Sequence, residues 1–112
     1  MDNRVLGQIG ENTAADLLNA KGYRILRRNY RCSCGEIDII VEKDCEWSFV
    51  EVKTRQSYHF GRPCEAVTAE KKRHIINTAH CFLDEMKKKG RTPLRYSFQI
   101  IEVVVEQIRD AF

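Results

Sequence analysis

No apolar run in this 112-residue chain approaches the ~18 residues that a membrane-spanning helix needs. The first residues, Met1-Asp2-Asn3-Arg4-Val5-Leu6-Gly7-Gln8, hold no hydrophobic signal core either. Both absences lead to the expectation of a cytoplasmic protein. The cysteines number five, so a closed disulfide framework cannot use them all, and reduced thiols fit that compartment. There is no internal repeat, low-complexity tract or linker, and the length suits one domain over residues 1–112. A Ser nucleophile elbow and a Gly-rich phosphate loop are both missing, which sets aside serine-hydrolase and P-loop chemistry.

What is present is an ordinary globular composition with an uneven charge pattern. Hydrophobic residues make up 43% and charged residues 31% of the chain, too apolar for disorder. The net charge is +3 and the pI about 8.6. Between Asp16 and Glu36 there is no acid, yet Lys21, Arg24, Arg27, Arg28 and Arg31 all fall there. Lys71, Lys72 and Arg73 form a second basic cluster, and Lys87, Lys88, Lys89 and Arg91 a third. Basic clusters around an acidic centre suit a phosphate-binding surface. Arg27, Arg28, Arg31, Arg55, Lys71 and Lys72 are the candidates for contacts to DNA.

Apolar spacing predicts a helix from about Leu6 to Lys21, with Leu6, Ile9, Leu17 and Leu18 inward, closed by Gly22. Strands are predicted at Tyr23 to Tyr30, Glu36 to Glu42 and Trp47 to Thr54. A loop from Arg55 to Val67 precedes a helix that Thr68 caps and that runs to about Lys89. Its buried side is expected to carry Ile75, Ile76, Ala79, Phe82, Leu83 and Met86. A final strand covers Arg95 to Glu106. The order α-β-β-β-α-β predicts an α/β domain with a mixed central sheet flanked by helices, the second helix crossing over to seat the last strand.

Side chains alternate along a strand, so Glu51 and Lys53 share a face roughly 6.5–7 Å apart. If the second and third strands form a hairpin centred between Asp44 and Cys45, Glu42 faces Trp47 and Asp38 falls opposite Glu51. Two carboxylates then stand with Cβ atoms about 4.5–5.5 Å apart. A divalent cation offsets such like-charge crowding, and oxygen donors of this kind suit Mg²⁺. Lys53 can orient an attacking water or stabilise a negative transition state. Glu11, on the helical face of Ala14, Ala15 and Leu18, is a further inward carboxylate in need of a partner. The pattern alone fits a solvated, salt-bridged sheet face equally well.

At these residues the chain resembles the YraN-like family, small bacterial proteins of the PD-(D/E)xK nuclease superfamily and relatives of archaeal Holliday junction resolvases. The resemblance is carried by Gly7, Gly10 and Glu11, by Gly22-Tyr23 and Asn29, and by Gly35-Glu36-Ile37-Asp38. Phe49-Val50-Glu51-Val52-Lys53-Thr54-Arg55, Phe60-Gly61, Pro63, Glu65-Ala66-Val67 and Lys71 complete it. It implies an α-β-β-β-α-β core of restriction-endonuclease type and Mg²⁺- or Mn²⁺-dependent hydrolysis of DNA phosphodiesters. By the same resemblance Asp38, Glu51 and Glu11 bind metal, Lys53 is catalytic, and the protein is a homodimer. Two positions depart from the pattern: Ile37 replaces the namesake proline, and Ser97 stands where an aspartate is expected. The alternative of another class is a non-catalytic nucleic-acid-binding module with the same fold.

Other features are set aside. Cys32-x-Cys34 lacks a second pair for a four-ligand zinc site, and Cys45, Cys64, His59 and His80 have no suitable spacing. His74 and His80 are expected on the surface of the second helix. The loop Tyr58-His59-Phe60-Gly61-Arg62 suits substrate contact and simple packing equally, and Trp47 is expected to pack.

Overall fold

The computed structural model describes residues 2–56 and 67–112. The expected loop Tyr58–Arg62 lies outside the described residues, as do Cys64 and the stretch Glu65-Ala66. The elements are α1 (Asn3–Ala20), β1 (Arg24–Cys32), β2 (Gly35–Lys43), β3 (Glu46–Arg55), α2 (Ala69–Lys88) and β4 (Arg95–Val104). The predicted order is therefore the observed one. Helix α1 starts three residues earlier than its apolar spacing implies, because the Asp2 carboxylate accepts the Val5 N–H at 2.8 Å and caps it. Thr68 does the same for α2 through the Lys71 N–H at 3.1 Å. Both helices end in the same double bond to the chain beyond. Tyr23 N–H reaches Leu18 O and Gly22 N–H reaches Asn19 O, while Arg91 and Gly90 repeat this on Met86 and Lys87.

The strands form one sheet in the order β1-β2-β3-β4. The β1–β2 and β2–β3 pairs are antiparallel and β3–β4 is parallel, so α2 makes the crossover that parallel pairing requires. The β2–β3 hairpin turns on Asp44 and Cys45, both at positive φ (54° and 62°), as a two-residue turn of the type that suits strand twist demands. Glu42 pairs with Trp47 and Lys43 with Glu46, the register expected from the sequence.

A helix covers each face of the sheet. On one side Ile37, Ile40, Trp47 and Phe49 meet Ala79, Phe82 and Met86 of α2. Phe82 is the hub, with the rings of Tyr30, Trp47 and Phe49 centred 5.2, 5.4 and 6.2 Å away. On the other side Ala14, Ala15 and Leu18 of α1 meet Ile39, Val41 and Val50. A Cβ on Gly10 would sit 1.7 Å from Thr54 Oγ1, so only glycine lets α1 lie this close to β3. This close packing turns Leu6, Gly10, Ala14, Ala15 and Leu18 inward and leaves Ile9 (36%) and Leu17 (42%) exposed, against the expectation for those two. On α2, Thr78 is buried and Ile76 is not, again unlike the expectation. Ile76 borders the same apolar groove as Phe98 and Ile100 of edge strand β4. Among the described residues no helix is long and apolar enough to cross a membrane.

Candidate active site

The β1–β2 ladder is irregular at two places, a bulge between Ile25 and Arg27 and a second break further along, and the acidic cluster lies at the second. Tyr30 pairs with Ile37 and Arg28 with Ile39, but Asn29, between them, sits at φ 53°. In consequence Ile37 packs toward α2 while Ile39 and Val41 pack toward α1. Regular alternation would put all three on one face. The same break separates Tyr30, under α2, from Arg28, whose guanidinium donates to Asn12 Oδ1 of α1 at 2.8 Å.

Asp38 occupies the break. The β2–β3 ladder runs from Lys43↔Glu46 to Ile39↔Val50, and the next step in register sets Asp38 against Glu51. There the Val52 N–H donates to Asp38 Oδ2 at 2.7 Å, so a side chain takes a backbone donor where the strands part. Glu11 approaches from α1. With the amide nitrogen of Asn29 turned to the two acids, it donates to Glu11 Oε1 at 2.9 Å and to Glu36 Oε1 at 3.2 Å. From the α2 side, Lys71 Nζ lies 3.3 Å from Glu51 Oε1.

The resulting field is acidic. Burial, opposed by the Val52 hydrogen bond and reinforced by Glu51 and Glu36, pushes the Asp38 carboxyl up to about 6, with Lys71 pulling the other way. Glu11 is also raised, first by burial, then by Asp38 and Glu36, against the pull of Arg28. Like charges at close range disfavour ionisation, and that couples these carboxyls to one another. Among the described residues, no three acids bring ligand oxygens within 4.8 Å of one another.

The sequence reading named Glu11, Asp38 and Glu51, and these three adjoin. It did not place Glu36 or Asn29 at the site, although both stand in the motifs it singled out. Asn29 escaped because nothing in an apolar–polar pattern marks a left-handed residue inside a strand. Lys53 lies on β3 two residues from Glu51, in register with Glu102 of β4, and is half-buried.

Most residues expected to contact DNA are engaged within the chain. Arg27 pairs with Glu85 at 3.0 Å, Arg31 with Glu36 at 3.3 Å and Arg55 with Glu102 at 3.2 Å. Lys71 holds Glu51 as described. Lys72 borders an apolar groove between α2 and β4 that also includes Glu51, Phe98 and Ile100. Ser97, where an acid was expected, is 3.0 Å from Ser48 Oγ, and Gln99 donates to the same Ser48 oxygen at 2.8 Å. Its partners on the sheet are thus two polar neighbours and not the carboxylate cluster.

Residues 10–103, from the close-packed glycine of α1 through β4, match the family described as "Uncharacterised protein family UPF0102". The chain belongs to the UPF0102 family. This is the YraN-like family indicated by the sequence motifs. A UPF0102 protein of Caldicellulosiruptor saccharolyticus is 45% identical over 103 residues, covering 92% of this chain and 85% of that one. One from Clostridium botulinum (strain Loch Maree / Type A3) is 40% identical over 110 residues, with 98% and 88% covered. A UPF0102 protein of Chloroherpeton thalassium is 40% identical over 111 residues, with 98% and 84% covered. The similarity therefore extends over both helices and all strands of the UPF0102 fold.

Proposed function

We propose that the chain is a metal-dependent DNA phosphodiester hydrolase of the PD-(D/E)xK type, related to the Holliday junction resolvases. The observation that carries this reading is the Asp38 carboxyl. It is raised to about 6 among Glu11, Glu36 and Glu51, at the one point where the central strands part. A protein gains nothing in stability from carboxylates crowded in this way. A cation accounts for them.

The donor set suits Mg²⁺ or Mn²⁺. It consists of oxygens alone, and such an ion is commonly held by one or two carboxylates, with water and substrate phosphate filling the remaining positions. Asp38 and Glu51 would hold it, with Glu11 at the margin. When bound, the ion would supply an acidified water and withdraw charge from the phosphodiester. The Val52 N–H fixes Asp38 in place. Lys53, on the face of Glu51, orients the attacking water and offsets the charge that builds on the phosphate. Lys71, paired with Glu51, adds positive charge beside the site. The apolar row Tyr96, Phe98 and Ile100 on edge strand β4, each 43–45% exposed, is the surface on which a second copy would dock in the homodimer that this reading includes.

The test is an assay of the purified protein on single-stranded, duplex, flap and four-way DNA with Mg²⁺ or Mn²⁺. Cleavage that Lys53→Ala lowers by about 10²-fold or more supports the proposal. Absence of cleavage on all four substrates contradicts it. Binding that weakens steeply with salt but never leads to cleavage selects the non-catalytic binding module.

A further inference from the structure

Cys32 ends β1, and Cys34 lies in the tight turn into β2. Forty-seven residues after Cys34, Cys81 stands on α2. The fold closes that gap. The Sγ atoms of Cys32, Cys34 and Cys81 all lie within 4.8 Å of one another, which among the described residues is true of no other group of three potential metal ligands. All three thiols are free and half-buried. The hairpin tip reaches the helix because Gly35, at φ 150°, has no side chain. A Cβ there would lie 3.1 Å from Thr78 Oγ1 and 3.7 Å from His74 Cβ. Thr78 is in turn tied to the helix by its bond to His74 O at 2.7 Å.

We propose that Cys32, Cys34 and Cys81 form a binding site for a thiophilic divalent cation, Zn²⁺ foremost, apart from the carboxylate cluster. Three ligands on a tetrahedral zinc ion place their sulfurs about 3.8 Å apart, from a Zn–S length of about 2.3 Å, a spacing inside the 4.8 Å that bounds all three pairs. Soft sulfur donors select Zn²⁺ over Mg²⁺, so the two sites do not compete for one metal. Burial raises the Cys32 thiol, but hydrogen bonds from Cys81, the backbone N–H of Cys34 and Gly35, and Thr78 outweigh it and bring it below the ordinary value. The Cys34 N–H donates to Cys32 Sγ at 3.3 Å, and such bonds orient a metal ligand from behind. The same contact with Cys32, together with burial, pushes Cys81 up to about 12, and metal binding releases the protons that the ligating thiols carry. An open depression lined by Arg31, Ser33 and Glu36 borders the turn. It gives the cation a way in and leaves the fourth position to solvent. A disulfide is the competing chemistry, but it uses two thiols and leaves the third without a role.

The experiment uses the full chain, reduced and free of oxygen, titrated with Co²⁺. The expected result is one thiolate-bound Co²⁺ per chain, with the sulfur-to-cobalt charge-transfer band and the visible absorption of a tetrahedral thiolate site, both erased by Zn²⁺. Cys32→Ser and Cys81→Ser each weaken it at least tenfold, about what losing even a supporting group of a metal site costs. Cys45→Ser and Asp38→Asn leave it unchanged. Absence of the thiolate bands overturns the proposal. So does a spectrum that survives Cys81→Ser in a chain with native circular dichroism, or one that Asp38→Asn removes. If Cys81→Ser does not fold, the wild-type chain decides. With Mg²⁺ held saturating, its melting temperature must climb further with Zn²⁺ concentration, and a flat response to Zn²⁺ overturns the site.

Discussion

The β2–β3 hairpin carries one carboxylate near its turn and another near its open end, and their surroundings are opposite. Glu42 accepts the Trp47 indole N–H at 2.7 Å, pairs with Arg24, and has Arg91 at 3.7 Å. The Trp47 bond above all, with Arg24 and Arg91 and against a smaller effect of burial, holds its carboxyl below the ordinary value. Asp38, four residues back on the same strand, has a single backbone donor and is surrounded by acids. The first arrangement ties the hairpin to the helix-covered core. The second works against stability, a cost that the proposed cation would relieve. Whether an acid sits among donors or among other acids separates structure from site within one strand.

The largest effect that would break this contrast is on catalysis. Glu51→Gln should lower metal-dependent cleavage by about 10²-fold or more, while Glu42→Gln leaves the turnover of folded molecules unchanged. Equal losses in the two variants would dissolve the distinction. Next comes stability. Glu42→Ala strands the indole N–H of fully buried Trp47 and should cost about 1–3 kcal/mol, read as a lower urea midpoint with unchanged slope. The reverse sign is expected at the open end. Asp38→Asn keeps an acceptor for the Val52 N–H and removes a crowded charge, so at pH 8 without metal it should stabilise the chain by about 1–2 kcal/mol, a value reduced for partial exposure to solvent.

The pH dependence sharpens the same point. The native chain holds a proton on Asp38 more tightly than the unfolded chain does, so that contribution is complete below the ordinary value of 3.8 and is lost as pH rises through about 6. Glu42 runs the other way. Its contribution is complete above 4.5 and is lost as pH falls through its depressed folded value. Urea midpoints of the metal-free protein from pH 4 to 8 should therefore decline across the Asp38 range in the wild type. The decline should be smaller in Asp38→Asn, where the raised Glu11 still contributes, and Glu42 variants should change the acid limb when the series is extended below pH 4.

Much of this was legible in the chain because the signals are local. Apolar spacing, Thr68 and the polar turn between Lys43 and Glu46 sufficed for the element order and for the hairpin register that pairs Glu42 with Trp47. Glu11, Asp38 and Glu51 could be brought together from that register and the helical phase of α1. What stayed hidden needed either a backbone irregularity or a long-range encounter. The positive φ of Asn29 swaps faces within β1 and β2, and so moved Ile37 and brought Glu36 beside Glu11. The pairings of Arg27 with Glu85 and of Arg55 with Glu102 join distant segments, and no composition pattern distinguishes such a paired arginine from one left for phosphate. Cys81 was passed over because its spacing to Cys34 has meaning only after α2 packs on the β1–β2 turn.

The central claim is that the Asp38 cluster is a cation site, and the most direct measurement is the carboxyl ¹³C NMR titration of Asp38 with and without Mg²⁺. The carboxyl should titrate near 6 in the metal-free chain and move down by about a unit or more with saturating Mg²⁺, since a bound ion competes with the proton. An Asp38 that titrates at its ordinary value of 3.8 and ignores Mg²⁺ would contradict the account.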